Sequence, residues 1–326
     1  DSAPKEILVR VTAMTKNVTG DVSIELPKDW KMSPASHSFN LLEKGSSQVF
    51  SFELRAPSKE QELSVKAIAT SKKIKHDQEL ITIAYDHIPT QRVLRPATAK
   101  WVKLNIKKQQ DKVGYLMGAG DKIPESLSAI GYEVTLLDPN SLGTQDLSPF
   151  KAVILGIRAL NVHPELSLQK DKLLAYVKRG GVLISQYNTA SRNGDNQVFI
   201  APYPIHLSRD RVTKEAAPVT FLDSKHPVLQ YPNPIIKKDF DGWVQERGLY
   251  FPNAWDPAYT PILEMNDPGE SPKQGSLLVA SYGKGSFVYT GLSFFRELPA
   301  GVAGAYKLFS NLISIPASID RDPIKD

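Results

Sequence analysis

The chain has 326 residues, of which 41% are hydrophobic and 23% charged, a globular balance that excludes bulk disorder and gives room for two domains. Its net charge of +5 is spread along the sequence, apart from short clusters such as Lys72-Lys73-Ile74-Lys75 and Lys107-Lys108. These read as solvated faces, so nucleic acid is not an indicated partner. The absence of cysteine excludes disulfides, thiolate metal sites and thiol nucleophiles together, although it does not choose between cytoplasm and periplasm.

No apolar run approaches the ~20 residues that a membrane-spanning helix needs. No signal peptide is visible, and a start at Asp1 instead of Met reads as a processed protein or an excised fragment.

Residues 1–108 alternate with the period of strands. Ile7, Val9, Val11 and Ala13 share one face, as do Val22, Ile24 and Leu26, then Phe50, Phe52 and Leu54, and then Leu63, Val65, Ala67 and Ala69. Leu80 to Tyr85 closes the set. With Pro, Gly, Asn and Ser between strands about ten residues apart, the pattern predicts an antiparallel, immunoglobulin-like β-sandwich. Pro89, Pro96 and Lys107-Lys108-Gln109-Gln110-Asp111 mark a crossing between domains near residue 109, with a further strand over Trp101–Ile106 before it.

From Lys112 the period changes. Val113–Met117 reads as a buried strand, Gly118-Ala119-Gly120-Asp121 as a turn, Pro124–Ile130 as a helix and Tyr132–Leu137 as a second strand. Ala152–Ile157 is a continuous apolar strand, Leu166–Val177 a helix stopped by Gly180-Gly181, and Val182–Ser185 the next strand. Residues 190–275 show little periodicity and read as loops and insertions. Ser276–Ser281 and Phe287–Thr290 form a hairpin, and a helix spans about Val302–Ile313. This order predicts an α/β chain whose residues 109–326 form a flavodoxin-like or amidotransferase-like doubly wound domain.

Parallel winding brings loop tips to one rim: Gly118, Gly120 and Asp121; Arg158 and Asn161; Gln186, Tyr187, Asn188 and Arg192; Ser293 and Arg296. The glycine turn lacks the third glycine of the dinucleotide fingerprint and the Lys-Ser/Thr of the P-loop, so it reads as a tight strand-to-helix turn. Ser185 lacks a G-x-S-x-G setting, and His226 sits in Asp223-Ser224-Lys225-His226-Pro227, a context that suits loop structuring. None of the six histidines has HxH or HExxH spacing, so no metal and no cofactor is expected. The densest polar and aromatic segment runs from Lys238 to Tyr250. Asp241, Trp243, Glu246 and Arg247 there suit a sugar site, with Asp241 and Glu246 as a conceivable acid/base pair. Core packing of Trp243 and Tyr250 with an Arg247–Asp239 ion pair is the alternative. Ser208-Arg209-Asp210-Arg211 has the same two readings, with Arg209 and Arg211 as ligand contacts or as ion-pair partners.

Two resemblances attach to these strings. Glu25-Leu26-Pro27-Lys28-Asp29-Trp30, Leu42-Glu43-Lys44-Gly45-Ser46 and Phe52-Glu53-Leu54-Arg55-Ala56-Pro57 resemble the NEW3-type module attached to bacterial carbohydrate-active enzymes. Val113–Asp121, Leu155–Asn161, Ser185–Thr189, Ser208–Val212, Asp239–Arg247 and Tyr289–Arg296 resemble the C-terminal region of large Bacteroidetes-type PIG-L (LmbE-like) deacetylases. In those proteins a zinc deacetylase domain precedes a sandwich and a glutamine-amidotransferase-like domain. The zinc motif His-Pro-Asp-Asp does not occur here. The resemblance therefore implies a non-catalytic accessory region of an exported N-acetyl-sugar deacetylase, periplasmic or extracellular. Its expected partners are carbohydrate or the parent protein's catalytic domain. A hydrolase using Asp241, Glu246 and Arg158, or a scaffold without ligand, are the competing expectations.

Overall fold

The computed structural model describes residues 4–190 and 199–316. The chain divides into two compact units, residues 1–105 and 106–326.

In the first unit the strands are β1 (Lys5–Thr12), β2 (Val18–Glu25), β3 (Lys31–Ser33), β4 (His37–Leu41) and β5 (Ser47–Arg55). They continue with β6 (Gln61–Ser71), β7 (Ile74–His76), β8 (Gln78–Tyr85), β9 (Ile88–Pro96) and β10 (Thr98–Lys103). One sheet has the order β1-β5-β3, and the other runs β10-β6-β2-β4 with β7 on β6. Alternation sends Val22, Ile24, Phe39, Leu41, Phe50, Phe52 and Val65 into one core between polar outer faces, and the result is a β-sandwich. Trp101 packs on the rim of that core, edge-on to buried Trp30 at 6.3 Å between ring centres. β8 and β9 form a separate two-stranded ribbon. The stretch from Pro89 to Pro96, expected as a crossing, is therefore a strand. A ribbon of two strands has outer edges where a missing N–H costs nothing, so prolines fit there.

In the second unit the strands are β11 (Lys112–Leu116), β12 (Glu133–Leu137), β13 (Ala152–Leu155), β14 (Val182–Gln186), β15 (Ile205–Val212) and β16 (Val219–Phe221). After these come β17 (Gly248–Trp255), β18 (Tyr259–Pro261), β19 (Leu263–Met265), β20 (Leu277–Tyr282) and β21 (Gly285–Thr290). The helices are α1 (Ile123–Ala129), α2 (Ala159–Val162), α3 (Lys170–Lys178), α4 (Pro227–Gln230), α5 (Phe294–Glu297) and α6 (Ala303–Ile313). The central sheet has the order β12-β11-β13-β14-β21-β20-β18, parallel from β12 to β21 and antiparallel over β20 and β18. Val153, Leu155, Leu183, Phe287 and Tyr289 are buried in its core, with Leu173, Tyr176 and Val177 of α3 packed against it.

The expected α/β class, with a flavodoxin-like or amidotransferase-like doubly wound domain, is corrected by this arrangement. Strand makes up 42% of the described residues and helix 16%, with the strands distributed over several separate sheets. The reason lies in the connections. Several helices are single turns. Among the described residues, the regular structure between β14 and β21 is mostly strand, with β15 paired to β17 and β16 to β19. The aperiodic stretch 190–275, expected as loops, thus holds two ribbons among its described residues. The helix expected over Leu166–Val177 begins as a 3-10 helix, Pro164–Gln169, and becomes α-helical from Lys170.

Register sets the rim on which the site lies. Leu116 stands opposite Leu155, Leu155 opposite Ser185 and Gln186 opposite Thr290, so β11, β13, β14 and β21 end together.

Candidate functional site

Beneath this rim the side chains are joined to one another. The Tyr115 hydroxyl donates to Asp121 at 2.7–2.8 Å, and Gln186 Nε2 donates to the Tyr115 hydroxyl at 3.1 Å. Asp121 also accepts the Ile123 N–H at 3.0 Å, which caps the approach to α1. Burial raises the Asp121 carboxyl above its ordinary value against these hydrogen bonds, and burial drives the Tyr115 phenol well upward. Gln186 is fully buried and its Oε1 has no partner among the described residues. Gly118 is not an open cradle: a Cβ there would lie 2.1 Å from the Ile157 carbonyl oxygen, because the turn packs directly on the next strand end. Gly120 sits at φ +93°, a left-handed conformation that glycine adopts without strain. The polar groups of Asp121 and Gln186 therefore face inward and hold strand ends together.

Above the rim is an open groove of about 410 Å³, lined by Arg209, Arg211, Glu246, Leu249 and Tyr250. Arg209 and Arg211 are exposed, on a strand whose pairing with β17 is interrupted by bulges between Leu207 and Arg211. Such irregularities re-aim side chains. Arg296 Nε reaches Glu246 Oε1 at 3.1 Å, and its guanidinium covers the Phe295 ring at 4.7 Å. The Tyr250 ring stacks on Tyr187, with centres 5.7 Å apart and planes 13° apart, and Phe295 packs against Tyr187 at 5.6 Å with its plane tilted by 53°. Arg158 donates its backbone N–H to the Tyr187 carbonyl at 2.8 Å, while its side chain is exposed. Burial raises the Tyr187 phenol, and the neighbouring guanidinium groups of Arg158 and Arg296 oppose that rise.

Backbone strain concentrates here. Among the described residues of the second unit, the non-glycine residues with positive φ are Arg158 (57°), Gln245 (66°) and Tyr250 (53°). Arg158 precedes α2 at the end of β13, Gln245 adjoins Glu246, and Tyr250 lines the groove. The Tyr289 hydroxyl holds the Tyr250 carbonyl at 2.6 Å, so this conformation is built in.

Other expected site residues serve the scaffold. Asn188 accepts the Leu160 N–H at 3.0 Å, and Asn161 accepts the Thr189 N–H at 2.8 Å, which ties the loop after β13 to the loop after β14. Trp243 is buried, stacked on Phe240 at 5.5 Å, and donates to the Asp239 carbonyl. Arg247 is also buried. Its guanidinium donates to the carbonyls of Ala217 and Phe240, and burial lowers its pKa to about 10. Asp239 pairs with Lys307 at 3.4 Å, in place of the expected pairing with Arg247. Asp241 is exposed beyond the 3-10 helix Lys237–Phe240. Ser185 is fully buried, and His226 caps α4 by accepting the Val228 N–H at 3.3 Å. Arg192 lies outside the described residues.

One residue escaped the sequence reading. Glu297 is fully buried, accepts the Val244 N–H at 2.9 Å through Oε2, and leaves Oε1 without a partner among the described residues. Burial raises its pKa to about 7 against the pull of the Arg247 and Arg296 cations. It holds the turn that delivers Glu246 to the groove. The available signal was a carboxylate, next to Arg296, between the apolar residues Phe294, Phe295 and Leu298. Among the described residues no group of three potential metal-ligating side chains gathers, and no helix is long and apolar enough to cross a membrane.

No family model and no curated protein matches the chain. Solved structures with similar coordinates include a cytoplasmic protein from Salmonella typhimurium LT2, with 11% identity and a TM-score of 0.42 over 80% of this chain and 97% of that one. A cold-adapted β-galactosidase from Rahnella sp. R3 gives 14% identity and a TM-score of 0.39 over 66% of this chain. This chain spans 32% of that β-galactosidase's length. PurLQS from Thermotoga maritima gives 10% identity and a TM-score of 0.39, over 63% of this chain and 98% of that one.

Proposed function

We propose that this chain is a non-catalytic accessory region of an exported N-acetyl-sugar deacetylase of the PIG-L (LmbE-like) type, and that its second unit holds carbohydrate in the groove above the rim. The observation that carries the binding reading is that groove, walled by the Tyr250 ring and by guanidinium and carboxylate groups. Rings stack on the C–H faces of pyranoses, and planar polar groups hold their hydroxyls. The accessory role rests on the resemblance of the long motifs to the C-terminal regions of those deacetylases, and export follows from the same resemblance. The carboxylate of the groove, Glu246, is engaged by Arg296, an arrangement that suits ligand positioning better than proton transfer.

A glycan array and calorimetric titration of the full 326-residue chain test the reading. Retention of saccharides that Tyr250→Ala weakens at least tenfold is the expected result. Failure to retain any saccharide overturns it. Turnover of chromogenic glycosides that Glu246→Gln abolishes would replace it with the hydrolase reading.

A further inference from the structure

Charge in the groove is unbalanced. Arg209 and Arg211 line it, Arg296 enters it through Glu246, and Arg158 adjoins it through Tyr187. Two guanidinium groups thus line the groove with a single carboxylate, Glu246, on which a third, Arg296, is already spent, while Arg158 stands beside Tyr187. The side chains of Arg209, Arg211 and Arg158 have no hydrogen-bonded or ion-paired partner among the described residues. Of the carboxylates nearby, Glu297 is buried and committed to the Val244 N–H, and Asp210, between the two arginines on β15, lines a separate cleft. Like charges gathered without counter-charges repel one another, and the arrangement is relieved by an anion that several guanidinium forks share. The strained backbone at Arg158 and Tyr250 marks the same place as built for a purpose.

We infer that the groove selects acidic saccharides, those bearing carboxylate or sulfate-ester groups, over neutral ones. This rests on the carbohydrate reading above and adds the charge class of the ligand. Tyr250 offers a ring for one sugar face, while Arg209 and Arg211 take the oxyanion of the same or the adjoining residue. Both arginines are exposed and carry no scaffold contact, so their removal tests binding without disturbing the fold.

The test titrates the full chain with three tetrasaccharides and one ion. Hyaluronan tetrasaccharide carries carboxylates alone, keratan sulfate tetrasaccharide carries sulfate esters alone, and tetraacetylchitotetraose is neutral. Inorganic sulfate reports bare anion binding. Binding of either acidic tetrasaccharide at least tenfold tighter than chitotetraose supports the inference. That preference should weaken with added salt and vanish in the Arg209→Ala/Arg211→Ala double variant, whose thermal unfolding stays unchanged. Of the two acidic probes, the tighter one identifies the anion. Chitotetraose binding as tightly as the acidic probes overturns the charge selection and leaves the carbohydrate reading standing. Sulfate binding without any saccharide overturns both, as does no binding at all.

Discussion

Replacing Glu297 with glutamine should flatten the pH dependence of stability in a window that the structure defines. Glu297 is fully buried, and burial moves its pKa from an ordinary 4.5 to about 7. Between these values the folded protein binds a proton that the unfolded chain has released, so stability falls as pH rises. The favourable contribution is complete below pH 4.5 and lost as pH passes through about 7. A displacement of this size corresponds to a loss of about 3 kcal/mol across the window. Glu297→Gln keeps an acceptor for the Val244 N–H and cannot ionise. Asp121, whose carboxyl is also raised by burial, contributes a slope of the same sign to parent and variant alike and cancels in the comparison. Urea unfolding of both proteins at half-unit steps of pH is the assay. The parent should lose stability relative to the variant by roughly 3 kcal/mol on going from acid to neutral pH. Parallel curves would refute the burial argument for Glu297.

Arg247→Met should destabilise the second unit by about 3 kcal/mol in urea unfolding, because it strands the carbonyls of Ala217 and Phe240. Tyr115→Phe removes the phenol donor from Asp121. It should cost about 1–3 kcal/mol at neutral pH and raise the pKa of that carboxyl further, which carboxyl NMR titration would detect. Gly118→Ala forces a Cβ against the Ile157 carbonyl and should lower the melting temperature more than Gly120→Ala does. At Gly120 nothing lies within 4 Å of the added atom, and the cost is about 1 kcal/mol for the left-handed backbone. Differential scanning calorimetry would rank the two.

Strands of the sandwich were readable because one face of each is buried, so apolar residues recur at every second position within them, as at Val22 and Ile24 and at Phe50, Phe52 and Leu54. β13 and β14 were readable for the opposite reason, since both faces are covered and every residue but the terminal Gln186 is apolar or small. β15 and β17 were not, because bulges break their alternation and their polar residues are divided between the groove and a separate cleft. The expected winding failed over the same stretch. Nothing in residues 190–275 distinguishes a loop from a bulged ribbon when the pairing partner is some forty residues away. Among the site residues, Arg158, Arg209, Arg211, Tyr187, Glu246 and Arg296 come together. Asn161, Asn188, Trp243 and Arg247 are drawn inside by hydrogen bonds that no spacing reveals.

The most direct measurement is backbone-amide NMR mapping of the full chain during titration with hyaluronan tetrasaccharide. The account predicts concentration-dependent shifts confined to the residues around Arg158, Tyr187, Arg209–Arg211, Glu246–Tyr250 and Arg296. Shifts centred instead on the separate cleft beside Asn253 and Trp255, or on the sandwich strands, would contradict it.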